Sequence, residues 1–167
     1  RFANNQIVQN VDTRRGSLNV TVAFGRRHGT AGTTDFTAGS VQEMVSRAAQ
    51  IAHLSPDDPE YLPPVEPQQY VTPPTTRVET AAAGPARRLE YANEAIGQCR
   101  MENLGAAGIV SSSMSTVGVA ASTGLFAYEE RTDARFSLTV QAGEATGWGA
   151  AAHRSIDHLR VQERTLT

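Results

Sequence analysis

All eight prolines of this 167-residue chain fall between Pro56 and Pro85, and two Pro-Pro pairs stand at 63–64 and 73–74. Proline lacks the amide donor and fixes φ, so this stretch enters neither a helix interior nor a central strand. It reads as an extended connector over 56–84, with a first lobe at 1–55 and a second at 85–167. No arginine-flanked PxxP core supports reading it as a proline-motif ligand.

The flanking segments carry different periods. From Ser17 to Phe24, Leu18, Val20, Val22 and Phe24 alternate with Asn19, Thr21 and Ala23. Period two predicts a half-buried strand. Gly25–Gly29 then reads as a turn, with an antiparallel return over 28–34. Upstream, Phe2–Val11 is extended in character, and Arg14-Arg15-Gly16 forms the next turn. Asn4, Asn5, Gln6, Gln9 and Asn10 are too polar for a buried strand and place it at an edge or wet groove.

A helix follows. Ser40-Val-Gln-Glu43 fits a capping box with Ser40 as cap. Val41, Met44, Val45, Ala48, Ala49 and Ala52 form one apolar stripe, and Ser55-Pro56 stops the helix. In the second lobe, Gly84-Pro85 opens a helix with Leu89, Ala92, Ile96 and Cys99 on one face, closed by Gly105. Strands are expected over 106–112, 116–121, 125–130, 134–141 and 146–153. A last helix is expected from Ser155. The order of strands, helix, connector, helix and strands predicts an α+β fold: two small lobes, each with antiparallel sheet and one main helix, joined by the Pro-rich linker.

Composition excludes several chemistries. All fifteen basic residues are Arg, so there is no Schiff-base lysine, no Walker A lysine and no Ser-Lys dyad. One Cys forbids an intrachain disulfide. A net charge of −2 offers no basic footprint for nucleic acid. No apolar run suits a membrane span and no export signal is visible, so the expected location is cytoplasmic. Val, Ile, Leu and Phe make up only 33 residues against 24 Ala, which predicts a thin core of small side chains.

Candidate sites are sparse. His153 and His158 are five apart beside Asp157, but Arg154 follows the first histidine where a metallopeptidase helix carries its glutamate. A cation there opposes a bound metal and no third ligand is evident, so no metal ligand is assigned. Cys99 on an apolar helix face reads as a buried thiol. Ser111, Ser112, Ser113 and Ser115 lack a nucleophile elbow. Gly143–Gly147 and Gly25–Gly29 read as turns rather than phosphate cradles. Arg26-Arg27 and Arg87-Arg88 read as solvated or ion-paired surface. Trp148 between two glycines reads as a core or interface anchor. No catalytic residue is assigned.

The ordered residues carry a resemblance. Arg1-Phe-Ala-Asn-Asn-Gln-Ile, Val20-Thr-Val, Gly29-Thr-Ala-Gly-Thr-Thr-Asp35 and Ala52-His-Leu-Ser-Pro-Asp-Asp-Pro59 resemble the amino-terminal domain of the TldD/PmbA family, the modulators of DNA gyrase. In the second lobe Gly108-Ile-Val and Val119–Gly124 are similar too, with Ala121 where the family often has Asn. The resemblance implies a cytoplasmic zinc metallopeptidase system of paired subunits. In it, a TldD-type subunit carries HExxxH and a PmbA-type partner, also called TldE, lacks it.

His153 and His158 share the HExxxH spacing without its glutamate, and the family motif lies in a later domain. The family's opening strand and helix are expected before Arg1. The implied role is therefore an amino-terminal, non-catalytic region forming channel wall and subunit contacts for proteolysis of extended or unfolded peptides. Asn4, Asn5, Gln6, Gln9 and Asn10 are the candidate peptide-binding residues, acting by β-augmentation. No cofactor is expected in this chain, with zinc in the full-length catalytic subunit. The expected partners are a TldD/PmbA-type subunit, in a homo- or hetero-oligomer, and a peptide; neither nucleic acid nor membrane is expected. The alternatives are a peptide- or protein-binding module without protease role, and a zinc hydrolase using His153 and His158.

Overall fold

The computed structural model describes residues 1–71, 73–161 and 163. The fold is α+β with antiparallel sheet, as expected. The chain divides into two compact units, one of Thr13–Val65 and the other of Arg1–Asp12 with the chain from Glu66 onward.

In the smaller unit, strands β3 (Leu18–Phe24) and β4 (Arg27–Thr33) form a hairpin in full register from Leu18↔Thr33 to Phe24↔Arg27. The turn is tighter than the expected Gly25–Gly29. Only Gly25 and Arg26 lie between the paired ends, and Gly25 supplies a φ of 63°, a value that suits glycine. Helix α1 (Ala38–Leu54) covers this hairpin and buries Met44, Ala48 and Ala52, the centre of the expected stripe. Gly29 permits the close approach: a Cβ there would sit 2.5 Å from the Ala52 amide nitrogen and also strike the Ala48 carbonyl.

The expected cap is displaced by one turn. Thr37 is the N-cap and accepts from the Ser40 amide, so Ser40 occupies N3 instead. Asp35 explains the shift. Its carboxylate accepts from the Thr37 amide at 3.0 Å and the Ser40 hydroxyl at 2.6 Å, which organises the turn one step earlier. Those hydrogen bonds, from Ser40 first, hold its pKa below the ordinary carboxylate value.

The larger unit is built on a sheet of order β2-β1-β5-β6-β7 among the described residues, antiparallel throughout. β1 (Phe2–Ala3) and β2 (Gln6–Ile7) form a minimal hairpin; β5 (Gly105–Ala120), β6 (Phe126–Ala142) and β7 (Ala145–His153) follow in sequence. The expected strands at 106–112 and 116–121 are one strand, and so are those at 125–130 and 134–141. Ser113–Ser115 and Arg131–Asp133 continue the ladder because each residue finds a partner across the pair. Helix α3 (Pro85–Met101) lays Tyr91, Ala92, Ala95, Ile96 and Cys99 on one sheet face, against Ala106, Val110, Phe136 and Leu138. Burying a side chain such as Phe136 stabilises by about 1.5–3 kcal/mol. Large residues such as Phe2, Ile96, Leu138, Ile156 and Leu159 outnumber the alanines in this core, which is therefore not built of small side chains as composition predicts. Leu89, expected on the buried face, is instead half-exposed beyond its edge.

Three further boundaries differ from expectation. Residues 1–12 belong to the larger unit rather than to the first lobe, because Phe2 pairs with Gly108 and is buried in that core. Helix α3 ends before Gly105: Asn103 takes the left-handed turn at φ 56°, and the Leu104 amide returns to the Cys99 carbonyl at 2.7 Å. A short helix, α2 (Val78–Ala81), lies within the 56–84 stretch. The end of that stretch is bonded to the sheet: the Thr132 amide donates to the Thr75 carbonyl, and the Arg77 amide to the Thr132 hydroxyl. From Ser155, where a last helix was expected, the chain makes a single 3-10 turn over Ile156–His158. The rest of that expected helix, at 162 and 164–167, lies outside the described residues.

Candidate peptide-binding edge

The five polar residues at the start of the chain do not act alike. Ala3 and Gln6 pair across a two-residue turn in which Asn4 and Asn5 have φ of 50° and 58°. Two left-handed residues define the turn that matches strand twist, and asparagine tolerates that region better than most residues. The Asn-Asn pair is therefore a legible hairpin signal, and Phe2–Val11 is broken by this turn rather than extended throughout.

Asn5 is committed to the fold. Its side-chain amide donates to the Leu104 carbonyl at 2.9 Å, and its Oδ1 accepts from the Ala106 amide at 2.8 Å. Its backbone N–H donates to the Ala106 carbonyl at 3.1 Å, and its carbonyl accepts from Arg100 at 2.6 Å. All of its polar groups are thus engaged in fixing the hairpin to β5 and α3.

Asn4 and Gln6 are surface residues, one at the turn and one on the outermost strand. Gln9 is tied back to Arg1: its amide donates to the Arg1 carbonyl, and its carbonyl accepts from the Arg1 ammonium at 2.8 Å. Asn10 donates to the Pro85 carbonyl at 3.3 Å. Arg88 reaches the Val11 carbonyl with one nitrogen, and the Ala83 carbonyl and Ser112 hydroxyl with the other. Beside these residues lies a cleft of about 20 Å³ lined by Ile7, Gln9, Asn10, Arg88 and Leu89. That volume holds roughly one water molecule. A ligand here would lie along the strand margin rather than insert a side chain.

The sheet has a second, longer margin at β7. All nine of its residues pair with β6 on one side, and no described backbone hydrogen bond reaches the other. Trp148 stands on the face away from α3 and is 73% exposed, so it is no core anchor.

The remaining candidates are occupied otherwise. The rings of His153 and His158 lie 4.7 Å apart, but His153 Nδ1 accepts from the Ser155 amide at 2.9 Å. Asp157 does not join them. It accepts from Arg87 at 2.8 Å and from the Tyr91 hydroxyl at 3.2 Å, and the Arg87 bond holds its pKa down. Among the described residues no three His, Cys, Asp or Glu side chains converge as a metal site. The donor set therefore does not fit zinc. Cys99 is 1% exposed, and burial pushes its thiol pKa up, as suits a packing residue.

Comparisons with known proteins agree with this architecture. The family model described as PmbA/TldA metallopeptidase domain 1 matches residues 1–52, and that described as the PmbA/TldA metallopeptidase central domain matches residues 78–164. Among solved structures, TldE from Thermococcus kodakarensis superposes with a TM-score of 0.84 at 22% identity, over 98% of this chain and 39% of that one. A suggested modulator of a DNA gyrase from Thermotoga maritima gives 0.81 at 13% identity, over 98% and 38%. A suggested modulator of DNA gyrase from Bacteroides thetaiotaomicron gives 0.71 at 12%, over 90% and 37%. At these identities the likeness is one of fold, and the chain spans about two-fifths of their length. No curated protein matches the chain.

Proposed function

Because this chain belongs to the PmbA/TldA metallopeptidase family, we propose that it is a non-catalytic, amino-terminal region of a TldD/PmbA-type subunit, forming channel wall and subunit contacts during proteolysis of extended peptides. One observation carries the reading. Two successive domains of the family, its domain 1 and its central domain, cover most of the chain. Zinc, on this reading, is held by other residues of a full-length catalytic subunit, and no step of the reaction passes through His153 or His158.

The substrate contact we propose is β-augmentation at the β2 margin. An extended peptide lies beside Gln6, with Asn4, Gln9 and Asn10 flanking it, and Asn5 holds the hairpin in place from behind. The shallow cleft supports backbone recognition with little side-chain selection, as suits a system handling unfolded chains. No helix among the described residues is long and apolar enough to cross a membrane. The setting we propose is cytoplasmic, which rests on the family resemblance.

Two measurements test this. In the isotope-labelled full-length assembly, peptide titration is expected to shift the amide signals of Phe2–Val11. Signals that stay still while peptide binds elsewhere would remove the β2 contact. The sequence of the full-length protein decides the branch: HExxxH in it marks a catalytic subunit, and its absence a PmbA-type partner.

A further inference from the structure

β6 outruns its neighbour on one side. It pairs with β5 along its whole length, but with β7 only from Ala134 to Ala142. Phe126–Asp133 therefore lies beyond the last β7 partner, and no strand among the described residues continues β7 alongside it. Alternate residues of β6 turn their N–H and C=O groups to that side, and an uncovered row of such groups is a template for another strand.

The Pro-rich stretch stands there instead. The Thr132 amide donates to the Thr75 carbonyl at 3.2 Å. Two residues back along β6, the Glu130 carbonyl accepts from the Thr76 hydroxyl at 2.9 Å and from the Thr75 hydroxyl. The Arg77 amide donates to the Thr132 hydroxyl at 3.0 Å, and Arg154 to the Pro74 carbonyl at 3.3 Å. Upstream, Pro67 lies against Gly124, where an added Cβ would meet the Pro67 Cγ at 3.4 Å. Pro67 beside Gly124 and Thr75 beside Thr132 keep equal spacing along both segments, so the stretch follows β6 in parallel. Thr75 is only 5% exposed, whereas a connector that merely spans a distance leaves its polar residues in water.

We propose that the Pro-rich stretch is an edge guard: docked through Thr75 and Thr76, it covers the margin of β6 ahead of β7 and keeps other strands off it. The role goes beyond the reading above and does not rest on it. An ordinary strand added here would satisfy β6 but would present its own outer amides as a new edge. Pro67, Pro73 and Pro74 have no amide to present. Proline is one device by which proteins blunt an edge, and a covering loop is another; this stretch combines them. Its lack of amides also explains the threonines. A β6 carbonyl needs a donor, and at Glu130 the Thr75 and Thr76 hydroxyls supply what a proline cannot.

The test uses the full-length protein and two double variants. Thr75→Val with Thr76→Val removes both hydroxyls that hold the Glu130 carbonyl. Hydrogen exchange at the Thr132 amide should quicken about tenfold or more, with Ala134–Ala142 unchanged. The variant should also associate beyond the parent's state in sedimentation as concentration rises, with a gain in thioflavin T emission that reports intermolecular strands. Pro73→Ala with Pro74→Ala leaves the threonines in place and restores two amides. Adjacent residues of an extended segment turn opposite ways, so one restored amide faces outward. Thr132 should then stay protected while association still rises. Three results overturn the guard: Thr132 exchange that ignores loss of the hydroxyls, a released stretch with association equal to the parent's, or a proline variant that associates no more than the parent. If the threonine variant loses its far-ultraviolet dichroism, the proline variant decides alone. None of these readouts involves the peptide response at Phe2–Val11, so the two readings fail separately.

Discussion

Asn5 and Ala106 hold each other by two hydrogen bonds: Oδ1 of Asn5 accepts the Ala106 amide at 2.8 Å, and the Asn5 amide donates to the Ala106 carbonyl at 3.1 Å. One residue in a left-handed turn thus joins the start of the chain to a strand about a hundred residues later. Asn5→Ala removes the side-chain acceptor and donor and places a Cβ residue without compensating bonds at φ 58°. Destabilisation of about 2–3 kcal/mol is expected in chemical denaturation. Asn4→Gly, at the exposed neighbouring position with similar φ, should lie within about 0.5 kcal/mol of the parent. Equal effects at both positions would contradict the clamp.

Gly29 sets how near α1 approaches the β3–β4 hairpin. A methyl group there meets helix backbone, which cannot rotate away as a side chain can. Gly29→Ala should destabilise the Thr13–Val65 unit by about 1–3 kcal/mol. Amide exchange should quicken at Ala48 and Ala52 and stay unchanged in α3, because α3 belongs to the other unit.

The buried Thr132 hydroxyl accepts the Arg77 amide and donates to the Arg154 carbonyl, both at 3.0 Å. Thr132→Val keeps the shape and leaves both backbone groups unsatisfied. A loss of about 2 kcal/mol is expected in thermal or chemical unfolding. Thr132→Ser should retain most of that stability, because it keeps the hydroxyl.

Asp157 has a folded pKa below its ordinary value, chiefly because Arg87 hydrogen-bonds it. A depressed carboxylate contributes stability that is complete above the ordinary value of 3.8. The contribution is lost as pH falls through the folded value. Because the pair is half-exposed, it is worth less than about 1 kcal/mol. Asp157→Asn should lower stability slightly at pH 7 and flatten its decline below pH 4. A variant whose acid limb matches the parent would show that the pair contributes nothing.

Much of this molecule was legible in its residues. Period-two alternation located β3, the apolar stripe marked the buried face of α1, and Pro85 marked the first turn of α3. The clustered prolines marked a stretch without long regular elements. The ordered motifs from Arg1 to Pro59 pointed to the family. These signals are local, because backbone propensity and side-chain period act within a few residues.

What tertiary structure decided is non-local. Asn5 looked like one more polar edge residue, and only the approach of Ala106 and Leu104 makes it a clamp. Ser40 fits a capping box, yet Asp35 organises the preceding turn and passes the cap to Thr37. His153 and His158 share a metallopeptidase spacing, but the Ser155 amide engages one ring and Arg87 takes Asp157 away. Residues 1–12 read with their neighbours in sequence, whereas Phe2 is buried in the core beneath α3. Which polar groups are consumed, and which strand margin stays open, depends on partners brought together by chain crossings that no local period encodes.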